Sequence, residues 1–365
     1  MTLAITSDDD WQSVLARVAE PAALDESARI HGALTRRREV RDGATLLRLG
    51  LGYGPCGLSL REVSAWAEAQ GIAALSDVAL LKRLRGAADW FGALVAQLLA
   101  DRTAVTLDAL GERPLRLVDG TTIRAPGSRG ADWRLHAVYD PRAQRMTALE
   151  LTDGRGAERL ERLPVVPDEI RIGDCGFGSR PDGVRALADS AGDYVVRVNW
   201  RGLHWQDPAG GRFDVLSFLR TIGAEGIAEA AVLVGRAHGK RAWTPVPARL
   251  IAVRLPPEQA EASRKRARKA SRKNRRRIMS DTVEAAGYVL MLTSLDEHDY
   301  PPARVAALYR LRWQIELAFK RLKSLLHFDE LRAKDPDLAR AWLYTHLIAA
   351  LLIDDMVQQA LDSPP

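Results

Sequence analysis

The chain has 365 residues, of which 47% are hydrophobic, so it can fill the cores of two or three domains. Its apolar stretches are too short to span a bilayer, the acidic N-terminus lacks a secretory signal, and two cysteines are too few for a disulfide framework or a cysteine zinc site. The net charge of +6 gives modest support to a polyanionic partner, and we expect a cytoplasmic protein without a membrane partner.

The N-terminal part carries a helical pattern. Over residues 11–107, polar and apolar residues recur at three- and four-residue spacing, which predicts helices. Ser59 is placed to cap one helix, and Asp77 is placed to open a second helix after a break at 71–76. This outline is typical of a helix-turn-helix, although any helical bundle contains such pairs, so DNA reading by the second helix stays open. We assign residues 1–112 to an α-helical N-terminal DNA-binding domain.

After Pro114 the pattern changes from helical to strand-like. In chain order, the predicted elements are strands at 115–119, 135–139 and 146–151, a short helix from Ala157, a strand at 169–173, a helix at 183–188 and a strand at 194–198. Three antiparallel strands followed by alternating helices and strands indicate an α/β sheet of the ribonuclease H type. We assign residues 113–365 to this catalytic domain.

The segment at about 199–287 departs from this pattern, and we interpret it as a β-rich insertion into the sheet domain, with a strand at 250–255. It contains the run 264–277, RKRARKASRKNRRR, with ten basic residues in fourteen. Like charges at this density repel, which predicts a mobile loop or a helix ordered only in contact with phosphates. We favour binding to the DNA backbone over a merely solubilising surface. The residues concerned are Arg264, Lys265, Arg266, Arg268, Lys269, Arg272, Lys273, Arg275, Arg276 and Arg277.

A strand at 288–293 and one long helix at 302–326 complete the predicted sheet domain. On this helix Tyr309, Arg312, Glu316 and Lys323 fall within an arc of roughly 60°, beside an apolar arc. A carboxylate flanked by two cations suits a site where Glu316 binds a metal while Arg312 and Lys323 hold phosphates. The alternative is a solvated amphipathic helix whose charges form salt bridges.

Two aspartates favour the metal site. Asp119 and Asp174 each lie at the end of a predicted strand with glycine close by, where a lone Asp is usually a turn former. Neighbouring strands can nevertheless bring both carboxylates together, and with Glu316 they can hold two Mg²⁺ ions roughly 4 Å apart. Hard oxygen ligands favour Mg²⁺, or Mn²⁺ in its place, over zinc. We interpret His136 as a structural residue.

The order and spacing of Tyr309, Arg312, Glu316 and Lys323 resemble the Y-R-E-K motif of the insertion sequence four family of bacterial transposases. The neighbourhoods Asp119-Gly120-Thr121 and Gly173-Asp174 are similar to the family's first and second catalytic aspartates, and the segment WRLH at 133–136 is similar to the one that follows the first aspartate. The resemblance covers residues 115–326.

This resemblance implies a ribonuclease H-like core with a β-rich insertion before the catalytic Glu, two Mg²⁺ ions, and cut-and-paste transposition by a DDE mechanism. The implied partners are the terminal inverted repeats of the element and target DNA, bound by a homodimer assembled on the DNA ends in the nucleoid of a bacterial cell. In such relatives the element ends pass through a DNA hairpin, and a tryptophan of the insertion stacks on a flipped base. Trp200, Trp205 and Trp243 are the candidates in this chain.

Three functions remain open. The chain is an active transposase, a nuclease or resolvase on the same fold that hydrolyses DNA without strand transfer, or a DNA-binding repressor descended from a transposase. The intact set of Asp119, Asp174 and Glu316 argues against the repressor. Strand-transfer products with a 3′-hydroxyl donor would separate the transposase from the nuclease.

Overall fold

The computed structural model describes residues 7–36, 38–106, 113–178, 181–190, 192–223, 225–236, 244–273 and 277–362. The N-terminal helices are α1 (Asp8–Ala16), α2 (Pro21–Ile30), α3 (Gly43–Tyr53), α4 (Leu60–Ala69), α5 (Asp77–Gly86) and α6 (Ala88–Thr106). Helix α4 begins with a capping box, in which Ser59 and Glu62 each accept the backbone N–H of the other. The Ser76 hydroxyl caps α5. The helix pair predicted at this place is therefore confirmed.

Nine strands in the described part of the chain form one mixed sheet in the order β3-β2-β1-β4-β5-β9-β8-β7-β6. The strands are β1 (Leu115–Ile123), β2 (Trp133–Asp140), β3 (Arg145–Asp153), β4 (Ile170–Gly173), β5 (Asp193–Arg197), β6 (Leu203–Gln206), β7 (Ile227–Arg236), β8 (Val246–Arg254) and β9 (Tyr288–Thr293). Strands β1, β4 and β5 run parallel to one another, and the other neighbouring pairs are antiparallel. The mixed α/β architecture predicted from the sequence is confirmed.

The remaining helices follow the strands. They are α7 (Cys175–Gly178), α8 (Pro181–Ala188), α9 (Val215–Arg220), α10 (Pro257–Lys273), α11 (Ser280–Ala285), α12 (Pro302–Arg310), α13 (Trp313–Leu326) and α14 (Pro336–Asp362). The strands β6 to β8, within the segment at about 199–287, extend the same sheet, because β8 pairs with β9 on one side and β7 on the other. The strand predicted at 250–255 is the second half of β8, whereas β6 and β7 were missed.

The short helix expected from Ala157 is wrong. This segment, between β3 and β4, consists of turns and irregular chain. Its backbone carbonyls are bound by a side chain instead, because the buried guanidinium of Arg171 on β4 donates hydrogen bonds to the carbonyls of Leu160, Leu163 and Pro164. A buried cation thus takes the place of helical hydrogen bonds and fixes the course of the segment.

The single helix predicted at 302–326 is also wrong, since α12 and α13 are separated by a turn at Leu311 and Arg312. The N–H groups of these two residues bond to the carbonyls of Leu308 and Tyr309, three residues back. Such bonds tighten the chain and interrupt the α-helical hydrogen-bond pattern. Tyr309 and Glu316 therefore belong to different helices, with Arg312 at the junction.

Two hydrophobic clusters cover the two faces of the sheet. Along β1 the neighbours Leu117 and Val118 point to opposite clusters, as strand geometry requires. The first cluster joins this sheet to the N-terminal helices and to α12, α13 and α14. Helix α14 packs against α3, α5 and α6, so the C-terminal helix shares a core with the N-terminal helices. Within the described ranges, no helix is long and apolar enough to cross a membrane.

Candidate active site

Asp119 lies in the middle of β1 and not in a turn. The strand continues to Ile123, and Asp119 pairs with Ala137 on β2. Its Oδ1 accepts the N–H of Gly120 at 2.8 Å. Burial raises the pKa of the Asp119 carboxyl to about 6, and the negative charge of Asp174 acts in the same direction, although the Gly120 hydrogen bond opposes both. The site therefore contains a carboxylate whose charge is poorly compensated by the chain.

Asp174 follows β4, the strand that runs parallel to β1. The register places Leu117 beside Ile172, so the two aspartates come two residues further along neighbouring strands. The Asp174 Oδ1 accepts the N–H of Gly176 at 2.7 Å. The structure thus brings the two carboxylates to the same edge of the sheet, where the charge of Asp174 acts on Asp119.

Glu316 reaches the site from α13, which packs against β1. Asp119 and Glu316 line one open cavity of about 620 Å³, together with Lys320 and Lys323. Glu316 is half-exposed, and its Oε1 accepts a hydrogen bond from Arg312 Nη2 at 2.6 Å. The Glu316 carboxylate is therefore held by the guanidinium of Arg312.

Arg312 connects the two helices of the predicted motif. Its guanidinium carbon lies 5.8 Å from the ring centroid of Tyr309, besides the contact to Glu316. Burial disfavours the charge of Arg312, but Tyr309 and Glu316 together raise the pKa of its guanidinium above the ordinary value. Arg312 is therefore a fixed positive charge beside the carboxylates, and Lys323, two turns beyond Glu316 on α13, lines the cavity that Asp119 and Glu316 share.

The donor set of this site is made of carboxylate oxygens, which suits a hard divalent cation such as Mg²⁺. Among the described residues, no three Asp, Glu, His or Cys side chains are already arranged closely enough to hold a metal ion. Asp119 and Asp174 are adjacent, whereas Glu316 is turned to Arg312. These carboxylates suit the chemistry of such an ion, and Glu316 would have to release Arg312 in order to bind it.

A further carboxylate, Glu158, lies at the same edge and was missed by sequence reasoning. It belongs to the segment that was expected to form a helix, and its Oε1 accepts a hydrogen bond from Arg134 Nη1 at 3.0 Å. Its charge adds to the effect of Asp174 in raising the pKa of Asp119. No periodicity marks Glu158, since it lies in an irregular stretch of chain.

His136 is a buried structural residue, as expected. Its Nε2 lies 3.1 Å from the Thr152 hydroxyl, and burial lowers the pKa of the imidazole to about 4. The ring is therefore neutral at pH 7 and adds no positive charge for a phosphate.

The basic run lies on α10 as far as Lys273, so of the two expected alternatives this part is the helix and not the mobile loop. Glu261 offsets part of the repulsion by pairing with Arg264 at 3.9 Å and Arg268 at 3.3 Å. The exposed basic residues of the helix are Lys265, Arg266, Arg268, Lys269, Arg272 and Lys273. Arg275 and Arg276 lie outside the described residues, and Arg277 is exposed.

The three candidate tryptophans differ in environment. Trp205 is buried, and its indole N–H donates to the carbonyl of Trp200 at 2.6 Å, so it cannot stack on a base without unpacking. Trp200 is partly exposed beneath the guanidinium of Arg201, 4.8 Å from its ring centroid. Trp243 lies outside the described residues.

Comparisons with known proteins place the chain among mobile-element enzymes. A family model described as "Transposase DDE domain" matches residues 110–352. The chain is 58% identical over 359 residues to the putative transposase InsL for insertion sequence element IS186A of Escherichia coli (strain K12), covering 98% of this chain and 97% of that protein. It is 58% identical over 360 residues to the transposase for insertion sequence element IS421 of Escherichia coli, with the same coverage. A cryo-EM structure of a piggyBac transposase synaptic complex with hairpin DNA aligns with a TM-score of 0.49 at 10% identity, over 94% of this chain and 74% of that chain.

Proposed function

Because this chain belongs to the transposase DDE domain family and is a DDE transposase, we propose that Asp119, Asp174 and Glu316 are the acidic residues with which it cuts and joins DNA. One observation carries the assignment. Asp119 and Asp174 meet at one edge of the sheet, and Glu316 lines the same cavity as Asp119. These acids come from three separate segments of the chain, in the order that the sequence motif requires.

The family uses a divalent metal, and we assign it as two Mg²⁺ ions that Mn²⁺ can replace. Asp119, Asp174 and Glu316 would hold them. A bound ion would supply positive charge for the phosphate under attack and its leaving oxygen, and would lower the pKa of the attacking hydroxyl. Its positive charge would also relieve the repulsion between Asp119 and Asp174.

The cations of α12 and α13 hold the DNA strand in this proposal. Arg312 and Lys323 lie on either side of Glu316, and Lys320 lines the cavity beside them. If Glu316 held a metal, Arg312 would lose its carboxylate partner and could bind a phosphate oxygen with its planar guanidinium. Tyr309, packed beside Arg312, restricts where that guanidinium can go.

The DNA-binding surface extends to the insertion. Helix α10 buries only Ala260 among its described residues and presents its basic residues to solvent. Such a surface binds phosphates without reading sequence. The bound DNA comprises the terminal inverted repeats of the element and the target. In this proposal the N-terminal helices read the terminal repeats, and a homodimer assembles on the paired DNA ends.

We assign the chain to the insertion sequence four family on the spacing of Tyr309, Arg312, Glu316 and Lys323. A ribonuclease H-like core at 113–365, interrupted at about 199–287, is supported by the parallel β1, β4 and β5 beside the antiparallel β2 and β3. Of the two candidate tryptophans that the structure describes, Trp200 is the one open to a base in a hairpin intermediate. Location at the bacterial nucleoid stays a prediction.

The test uses DNA that contains the inverted repeats flanking the gene, with Mg²⁺. We expect Asp119→Asn, Asp174→Asn and Glu316→Gln each to abolish cleavage and strand transfer while end binding persists, because each removes a metal-binding charge with little change in size. Glu330→Gln is the matched control, since Glu330 lines the same cavity but pairs with His327. A variant of the three that cleaves at the wild-type rate removes that residue from the assignment. Cleavage without strand transfer by the wild type would indicate a nuclease.

A further inference from the structure

Helices α4 and α5 are joined by a short break and pack against each other and against α3. Helix α4 ends just before Gly71, whose φ of +66° is a conformation that favours glycine. One face of α5 closes the core between these helices, because Leu80 and Leu84 are fully buried, as is Val63 of α4. Two packed helices that follow a third, with glycine in the connection, have the arrangement of a helix-turn-helix.

The opposite face of α5 is open to solvent and carries one stripe of side chains. At about 100° per residue, Val78, Lys82 and Arg85 fall within an arc of roughly 60°. Val78 is 55% exposed, although valine is a residue that folded chains usually bury. Lys82 is exposed as well, whereas Arg85 is paired with Asp335 at 3.2 Å. The first two turns of α5 therefore present an apolar group and a cation side by side.

The charges on and beside α5 suit a polyanion. The helix has three basic residues and one acid, and that acid, Asp77, is directed to its own backbone, since its Oδ1 accepts the N–H of Val78 at 2.8 Å. Arg83 Nη2 donates to the carbonyl of Arg36 at 2.6 Å, which holds a second basic segment beside the helix. Arg36 and Arg38 of this segment are exposed. An apolar and basic face of this kind fits the major groove of DNA, where phosphates flank the base edges.

We propose that α5 enters the major groove of the terminal repeats, with Val78 against the methyl group of a thymine and Lys82 at the O6 and N7 acceptors of a guanine. This inference rests on the proposed function, in which the N-terminal helices read the repeats, and it names the helix and the two side chains that read them. In helix-turn-helix proteins the N-terminal residues of the second helix contact the base edges. Arg36 and Arg38 would bind the flanking phosphates and position α5 without reading sequence.

The experiment measures binding of the full chain, in EDTA, to duplexes of the inverted repeat that flanks the gene. Each thymine is replaced in turn by uracil, which lacks only the methyl group, and each guanine by 7-deazaguanine, which lacks the N7 acceptor. At one thymine the wild type should lose about fourfold in affinity, the value of one buried methyl group, and at one guanine about fivefold.

The variants assign these losses to side chains. Val78→Ala should bind the thymine and uracil duplexes equally, and Lys82→Ala should no longer distinguish guanine from 7-deazaguanine. Both melting temperatures should match that of the wild type, because both side chains are exposed. Ile30→Ala is the matched control, since Ile30 is an apolar residue of α2 that is 71% exposed, and it should keep the wild-type pattern of sensitive bases.

The outcomes separate this inference from the proposed function. If the wild type prefers the repeat over a random duplex but Val78→Ala and Lys82→Ala keep its pattern of sensitive bases, α5 is not the reading helix and the inference is overturned. If the wild type binds the repeat and a random duplex equally, reading of the repeats by the N-terminal helices is wrong as well. Neither result touches Asp119, Asp174 and Glu316, which the cleavage assay tests by itself.

Discussion

Replacing Asp119 by Asn should stabilise the metal-free protein at neutral pH although it destroys the proposed site. Burial is the main cause that raises the pKa of Asp119 from 3.8 to about 6, and the charge of Asp174 adds to it. A carboxyl whose folded-state pKa is raised binds its proton more tightly in the folded than in the unfolded chain. Its contribution to stability is therefore present below pH 3.8 and is lost as the pH rises through 6.

The magnitude follows from the shift. One pKa unit corresponds to about 1.4 kcal/mol, so ionised Asp119 destabilises the folded chain by up to about 3 kcal/mol at pH 8. Asn is neutral at every pH and its side-chain oxygen can still accept the N–H of Gly120. We expect Asp119→Asn to raise the free energy of unfolding by about 1–3 kcal/mol at pH 8 in EDTA, and by almost nothing at pH 4.

The assay is urea unfolding of wild type and variant at both pH values. Asp132→Asn serves as the control of opposite sign, since the N–H of Ala125 and the hydroxyl of Ser128 lower the pKa of the partly exposed Asp132. That variant should gain no stability at pH 8. Equal stability of wild type and Asp119→Asn at pH 8, or a gain of the same size at pH 4, would refute the electrostatic account of Asp119.

Three further outcomes are expected. Arg312→Ala should keep Mn²⁺ affinity but slow end processing after the first nick. Arg312→Lys should restore the processing rate only in part, because an ammonium cannot replace a bidentate guanidinium. Time courses of nicked and fully cleaved DNA test this prediction, and wild-type kinetics of Arg312→Ala would contradict it. Lys265, Lys269 and Arg272 share one face of α10, and replacing all three by Ala should make the slope of log DNA affinity against log salt concentration shallower by about 2.7. The control Arg220→Ala, which breaks an ion pair with Glu284, should leave this slope unchanged. Gly54→Ala should lower the free energy of unfolding by about 1–3 kcal/mol because its methyl group would strike Thr345 of α14, whereas Gly86→Ala, which faces open space, should raise it by up to about 1 kcal/mol.

The sequence identified the residues whose position depends on local pattern. Asp119 and Asp174 follow apolar runs that form strands, and strands that lie parallel and adjacent bring such residues to one edge. Glu316 lies on an amphipathic segment whose apolar face determines which side meets the sheet. Periodicity could predict these elements because burial of an apolar face is decided within a few residues of chain.

The sequence was less able to predict elements whose conformation depends on distant partners. The turn segment after β3 was expected to be helical, and only Arg171, a buried cation from the next strand, explains why it is not. The break at Arg312 likewise could not be predicted from hydrophobic spacing, because the flanking residues keep helical spacing across it.

Only the tertiary structure revealed the setting of Glu158 and the place of the C-terminal helix. Glu158 approaches Asp174 beside Gly176 and contacts Arg134 of β2, so its neighbours are distant in sequence. Helix α14 packs against α3 and α6 at the opposite end of the chain. The sequence by itself determined which residues carry the charges and which faces are apolar, since these are properties of single residues and of local spacing. Which charges meet was decided by long-range packing, because contact between distant segments depends on the whole fold.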